Sequence, residues 1–428
     1  GVLLAVGWVV TRGRAGLRTA SFAGGGVALF VGAQLAFRYF YYDDWLPNTA
    51  YAKVVIHENR LKAGIAYITD SFQPLAAVWC VLLLGLLRAA FVSSGRKQLI
   101  PPLLLALGWV GYLMRVGGDN FPAWRHLPYV IGLAAVVLAQ LVAEEHERAG
   151  RFTGLGYFAV SIVALGWLGT FCDPNNVAGH QRWQWDGRPV SKVLARAFAQ
   201  ERPSIAVDAA GAIPYFSGLP SIDMLGLNDR YLAHHRPEGM GQDLIGHELG
   251  DADYYLRRKP DLFCFGVPPC FHGPRYATQQ ALVKKRGFRD DYIPVRIQTR
   301  LGARPLVSEF WLDKTGRLGP KREGGQLSIP AYLFEGNPPL SRLDGEHLIS
   351  RFERGRAFTR VKLEPGSYRL AAVDARGAAR LSVGGPGVQM SADLASPSEF
   401  VLEREAVVEF AITATAPIEV RGLVLSRR

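Results

Sequence analysis

The chain is 428 residues long, 49% hydrophobic and 20% charged, with a mean hydropathy of +0.08 and a net charge of +12. Residues 1–172 hold 14 Lys and Arg against 8 Asp and Glu, and the remainder 35 against 29, so each part carries +6 and no basic block is dense enough to suggest nucleic acid. The averaged composition conceals two unlike parts, six long apolar stretches before residue 172 and a water-compatible sequence after it.

The first stretch, Gly1–Val10, is half a span long and is preceded by no Met. It lacks the basic flank and small-residue cleavage site of a signal peptide, so the chain is expected to start inside a transmembrane helix. Ala20–Phe37, Phe72–Leu87 (continuing past Arg88 to Val92), Gln98–Met114, Leu127–Ala143 and Phe152–Cys172 follow. At 1.5 Å per residue, about 20 such residues cross a bilayer core of roughly 30 Å. Residues 1–172 are therefore expected to form a transmembrane helical domain of about six spans, the first incomplete. Gly24-Gly25-Gly26 within a span reads as close helix packing. Segments 11–19, 88–97 and 144–151 hold eight Lys and Arg in 27 residues, whereas 38–71 and 115–126 hold six in 46. The positive-inside rule places the first group in the cytoplasm and the second, with everything from Asp173, on the outer face.

Beyond the spans, residues 173–320 read as an α/β domain. Val193, Leu194, Ala197 and Phe198 mark one face of a helix over Ser191–Glu201, and Ser204–Asp208, Ser221–Leu225, Asp261–Phe265 and Tyr292–Ile297 read as strands. Residues 321–428 read as a β-sandwich, with strands at Phe358–Leu363, Tyr368–Val373, Ala379–Val383, Val407–Thr413 and Ile418–Leu425 and a turn at Glu364-Pro365-Gly366. Cysteines are sparse. Cys80 and Cys172 fall in or at the end of spans; Cys264 and Cys270 flank a Pro-Pro loop, either as a disulfide in an oxidising compartment or as two thiols.

Two outer loops carry charge next to the bilayer. The first runs from Arg38 to Lys53 and holds Tyr42, Asp43, Asp44 and Asn48; an interfacial aromatic belt explains its tyrosines but not two carboxylates, an amide and a lysine. The second holds Gly117-Gly118, Asp119, Arg125 and His126. A Gly-Gly turn permits close approach to a ligand, and the charged groups suggest an anionic substrate gripped near the membrane; helix capping by Asp119 and snorkelling by Arg125 are the structural alternatives. Asp208, Asp223, Asn228 and Asp229 belong to a Gly/Pro-rich run of the kind that builds turns. His247-Glu248-Leu249-Gly250-Asp251 lacks the second His of a zinc-protease helix, and no Gly-rich phosphate loop followed by Lys is present, so neither a metal nor a nucleotide cofactor is expected.

Four stretches carry a resemblance: Tyr41–Lys53 (YYDDWLPNTAYAK), Gly117–Arg125 (GGDNFPAWR), Asp208–Asp229 (DAAGAIPYFSGLPSIDMLGLND) and Gly246–Asp261 (GHELGDADYYLRRKPD). With them the chain resembles the bacterial polytopic membrane glycosyltransferases of the GT-C architecture, in the group that includes cell-wall terminal arabinofuranosyltransferases. The resemblance implies a partial GT-C-like helical bundle in the bacterial inner membrane, with the C-terminal part in the periplasm. It implies inverting transfer of a sugar from a polyprenyl-phosphate donor to a glycan or glycolipid acceptor. Asp119 and Asp44 would be the catalytic carboxylates, and Arg38, Tyr42, Asp43, Asn48, Lys53, Arg125 and His126 would contact substrate. The sequence departs from the group at Asp43, where relatives commonly have Gly, at Asn120–Trp124, and in lacking the first outer loop with its principal base. Two rivals are a transporter or flippase, which would place charges in mid-span, and a glycan-binding assembly protein, which would expose aromatics on the tail.

Overall fold

In the computed structural model, which describes residues 2–92, 96–149, 182–271 and 273–427, the early apolar stretches fold as helices. These are α1 (Val2–Tyr42), α2 (Asn48–Lys53), α3 (Glu58–Asp70), α4 (Ala76–Phe91), α5 (Arg96–Val116) and α6 (Pro128–Ala149). Together with Pro237–Glu248 they belong to one compact unit. The α3 helix opens where His57 Nδ1 accepts the Asn59 N–H. Tyr67, Leu82, Leu103, Leu113, Val130 and Val137 share one hydrophobic cluster drawn from α3 to α6. A Cβ on Gly64 would lie 2.2 Å from the Met114 carbonyl oxygen, so α3 and α5 touch through backbone and any larger residue would part them. Arg88 of α4 donates to Glu144 of α6 at 2.8 Å.

These lengths correct the expected membrane bundle of about six spans. Residues 11–19, expected as a loop, are helical; α1 runs unbroken for 41 residues through Arg12, Arg14 and Arg18, since Arg, Ala and Leu favour helix and no proline intervenes. Residues 71–75, with Pro74, precede α4, which is 16 residues or about 24 Å long, short of the roughly 30 Å of a bilayer core. The apolar part of α6 stops at Glu144, and it too is shorter than a span. Among the described residues one helix, Lys97–Val116, is long and apolar enough to cross a membrane, and those residues do not build a polytopic helical bundle. Phe152–Cys172, the last expected span, lies outside the described residues.

The second unit comprises Arg182–Arg236 and Leu249–Arg428. Its helices are α7 (Trp183–Ala197), α8 (Ala212–Ser217), α9 (Arg230–His234), α10 (Ala252–Arg258), α11 (Ala277–Lys284) and α12 (Arg286–Asp291). The strands are β1 (Ile205–Val207), β2 (Ser221–Asp223), β3 (Leu262–Cys264), β4 (Tyr292–Leu301), β5 (Arg304–Asp313), β6 (Lys321–Glu323), β7 (Gln326–Pro330), β8 (Leu340–Asp344), β9 (His347–Phe352), β10 (Gly355–Leu363), β11 (Gly366–Val373), β12 (Ala379–Gly385), β13 (Val388–Asp393), β14 (Ser398–Leu402), β15 (Ala406–Ala414), β16 (Ile418–Val420) and β17 (Gly422–Arg427). Eight of them form a mixed sheet in the order β16-β9-β8-β4-β5-β3-β1-β2, in which β1 pairs in parallel with both β2 and β3.

Alternation along the short parallel strands decides which helices cover them. Ile205, Val207, Leu262 and Cys264 cluster with Val190, Leu194 and Phe198 of α7 and its C-cap. Ala206 and Phe263, on the other face, cluster with Tyr255, Leu282 and Phe288 of α10 to α12. The predicted face over 191–201 is present, but the helix starts earlier, at Trp183, and contains Pro189.

Two antiparallel sheets complete the unit, β10-β15-β12-β13 and β14-β11-β17-β7-β6. Their inner faces meet, with Phe400 of β14 6.3 Å from Phe410 of β15. The predicted strand Ile418–Leu425 is two strands in two sheets: β16 pairs with β9, and β17 lies between β11 and β7. A Cβ on Gly422 would sit 2.7 Å from the Ile329 carbonyl, so this close crossing requires glycine. Strands from both sides of Lys321 share the eight-stranded sheet, and one hydrophobic cluster runs from Val190 to Leu425.

Candidate functional site

The loop after α5 is shaped by two left-handed glycines, Gly117 at φ 96° and Gly118 at φ 69°. A Cβ on Gly118 would fall 2.5 Å from the Tyr67 side chain, so the turn is pressed against α3 and only glycine satisfies both the angle and the space. Ala123 and Trp124 also adopt positive φ, a strain usually stored where a loop must present side chains. What this loop presents is an ion pair. Arg125 Nη2 donates to Asp119 Oδ1 at 3.1 Å and its Nε to Asp119 Oδ2, while His126 Nε2 stands 3.6 Å from the same oxygen. The Asp119 side chain is 4% exposed and that of Arg125 47%. The guanidinium also lies 4.1 Å from the centroid of the Phe121 ring.

Asp119 therefore faces a cation with both oxygens and faces water with almost nothing. It holds Arg125 by one edge and leaves the rest of that side chain, and His126, at the surface. The backbone beneath is fixed as well: Trp109 Nε1 donates to the His126 carbonyl at 2.7 Å, and the His126 N–H points to the Tyr67 hydroxyl at 3.5 Å. Burial pushes the Tyr67 phenol up to about 12, so it stays neutral at physiological pH.

The segment 241–248 supplies a second layer, in the same unit. Glu248 accepts the N–H groups of Gly241 and Asp243, each at 2.8 Å, and pairs with Arg60 Nη2, whose Nη1 donates to the Asp243 carbonyl at 2.8 Å. Both side chains of the pair are buried. Asn120 donates to the Ile245 carbonyl at 3.2 Å and lies 3.5 Å from His247 Nδ1. Burial, with Lys53 nearby, depresses the His247 pKa, which keeps that ring neutral at pH 7. A Cβ on Gly246 would be 3.0 Å from Lys53 Cε. Sequence reasoning missed Arg60, Glu248 and His247 as parts of the site. The one signal was the charged run around His247, whose partner at Arg60 lies 188 residues upstream.

The remaining predicted residues gather elsewhere. Arg38 Nε donates to the Trp45 carbonyl at 3.2 Å and its guanidinium lies 5.6 Å from the Tyr42 ring centroid. Asp43 turns the chain at φ 52° just after α1. Asp44 accepts the Tyr51 hydroxyl at 2.7 Å and the Leu46 N–H at 3.2 Å, and Asn48 opens α2. The structure thus brings Asp119, Arg125 and His126 together, sets Lys53 beside the 241–248 segment, and gathers Arg38, Tyr42, Asp43 and Asp44 around the end of α1.

In the second unit Asp208, Asp223 and Cys264 stand at the carboxyl ends of the parallel strands, the edge at which open α/β sheets commonly bind ligands. Here the edge is filled by the chain's own donors. Asp208 accepts the Gly266 N–H and the Gln279 side-chain amide, and burial raises it to about 7. Asp223 accepts from Leu225 N and twice from Asn228, and burial raises it too. Asp229 caps α9 through the Leu232 N–H at 3.1 Å. These are turn and cap roles. Gly266 sits in a loop closed by a Cys264–Cys270 disulfide, which resolves the alternative the sequence left open. Among the described residues, no group of His, Cys, Asp or Glu is arranged to hold a metal ion.

A family described as a domain of unknown function (DUF8728) matches residues 175–310. No curated protein matches the chain. Among solved structures, TmCBM61 in complex with beta-1,4-galactotriose is similar at 13% identity, over 25% of this chain and 84% of that one, with a TM-score of 0.16.

Proposed function

We propose that the chain is a membrane-associated glycosyltransferase that takes its sugar from a polyprenyl-phosphate donor, with Arg125 and His126 gripping the donor phosphate and a glycan or glycolipid as acceptor. In such a transfer the acceptor hydroxyl oxygen bonds to the anomeric carbon and gives its proton to a base as the bond from that carbon to the phosphate oxygen breaks, and the departing phosphate gains negative charge. A guanidinium already fixed in direction stabilises that charge without reorganising. The observation that supports the reading is the division of labour at Arg125: one edge of the fork is bound to a buried carboxylate while the side chain remains half exposed beside an imidazole. Asp119 is then the residue that positions Arg125, not the base.

The test is binding of a polyprenyl phosphate and of the matching polyprenol to the chain in nanodiscs, followed by transfer of labelled arabinose from polyprenyl-phosphate-arabinose. Arg125→Ala should weaken phosphate-dependent binding and transfer by about 30- to 1,000-fold, equivalent to roughly 2–4 kcal/mol, and Arg125→Lys should restore part of it. Equal binding of polyprenol and polyprenyl phosphate, or an Arg125→Ala variant indistinguishable from the parent, would remove the basis of the reading.

A further inference from the structure

Three segments of the second unit converge on Gly187. A Cβ there would lie 2.7 Å from Ala212 Cβ and 3.2 Å from Pro268 Cγ, so α7, α8 and the disulfide loop meet at this point. Ser191 Oγ donates to the Ala212 carbonyl at 3.1 Å and ties α7 to α8 again. Around the junction large aromatics face water: Trp185 is 62% exposed, Tyr215 81% and Phe271 55%, with Phe216 at 39%. Arg188 lies 5.3 Å from the Phe216 ring centroid. Trp185, Arg188 and Lys192 follow at helical spacing on the exposed side of α7, opposite Val190, Leu194 and Phe198, which are buried. Within 182–192, 212–218 and 264–271 the acidic residue is Asp186, and it is 3% exposed.

We infer that this aromatic and cationic face docks on the headgroup region of an anionic lipid bilayer. Tryptophan and tyrosine favour the membrane interface because each joins an apolar ring to a polar tip, and Arg and Lys answer the negative surface of the leaflet. Both kinds are present and exposed carboxylates are missing from these segments. The sequence also places the face ten residues after the uncharged run Phe152–Cys172, long enough to lie in a bilayer. An anionic lipid surface answers the positive charge and the interfacial aromatics together.

The experiment places spin labels on Tyr215→Cys and Phe271→Cys in the full chain with Cys80→Ala and Cys172→Ala, reconstituted in nanodiscs. Glu403→Cys, exposed between β14 and β15, is the water control. In discs containing anionic lipid, labels at 215 and 271 should collide more with dissolved oxygen than with a water-soluble nickel complex, and the control should do the reverse. Arg188→Gln with Lys192→Gln, or purely zwitterionic lipid, should reduce the docked population on the order of tenfold. Labels at 215 and 271 that behave like the control overturn the proposal. So does protection from oxygen and nickel alike, which would mean that protein covers the face, and so does docking insensitive to charge.

Discussion

Asp119 in the helical unit and Asp208 in the mixed sheet are both almost wholly removed from water, and they are kept there by opposite means. Asp119 is met by a guanidinium, charge against charge. Asp208 is met by a backbone N–H and a side-chain amide, donors without charge, and burial outweighs them to raise it to about 7. A buried carboxylate matched by a cation fixes that cation in space and turns its far side outward, which suits binding. One matched by neutral dipoles settles the deficit by holding a proton, which suits structure. The same residue type therefore reads as functional in one place and architectural in the other.

The largest effect should come from the buried pair below the first site. Arg60→Met would leave Glu248 held by two N–H groups and no cation, at a cost of about 3–5 kcal/mol in stability. Arg60→Met with Glu248→Leu removes the stranded charge and should recover most of that loss. Thermal unfolding of the chain in detergent measures both. A single substitution tolerated to within roughly 1 kcal/mol would mean that the pair behaves like a surface one and does not support the loop.

Next comes the proton at Asp208. Its folded pKa is raised from about 4 to about 7, so between those values the folded chain binds more protons than the unfolded chain, and stability must fall as pH rises through that window. Three pKa units correspond to about 4 kcal/mol. Asp208→Asn should flatten this dependence, and chemical denaturation at pH 5 and pH 8 compares the two proteins. An Asn variant with the parent's pH slope would place the dependence elsewhere, with Asp223 the next residue to examine.

The smallest effect sharpens the contrast most. Asp119→Asn keeps one acceptor of two, so Arg125 should lose part of its alignment and polyprenyl-phosphate binding should drop about tenfold, or 1.4 kcal/mol. That is less than the loss for Arg125→Ala. Transfer abolished while binding survives would instead make Asp119 the base, and the positioning role assigned to it would be wrong.

Much of the second unit was legible in the sequence. Continuous apolar runs at 205–207 and 262–264 and the 3.6-residue pattern through Leu194 are local signals, and local packing obeys them. The grouping of Asp119 with Arg125 and His126 was legible for the same reason, since Gly117-Gly118 folds one short loop back on itself. The helical unit departs from its expected span count because apolar composition does not set helix length. Pro74 and Glu144 limit two of the helices, and Arg88 meets Glu144 across 56 residues, an ion pair that no single stretch reveals. Glu248 with Arg60 and Asp208 with Gln279 were hidden in the same way. Partners so far apart in the chain leave no trace in spacing.

Arg421 is the whole distance between β16, at an edge of the eight-stranded sheet, and β17, inside the five-stranded one. On the ribosome this makes the two pairings a single event. Until residues 418–427 emerge, β9 has an open edge and β11 and β7 have no strand between them. Two sticky surfaces therefore persist together until that segment emerges, and vanish together. A nascent chain stalled before residue 418 would present both at once to the chaperones and proteases that patrol partly folded chains.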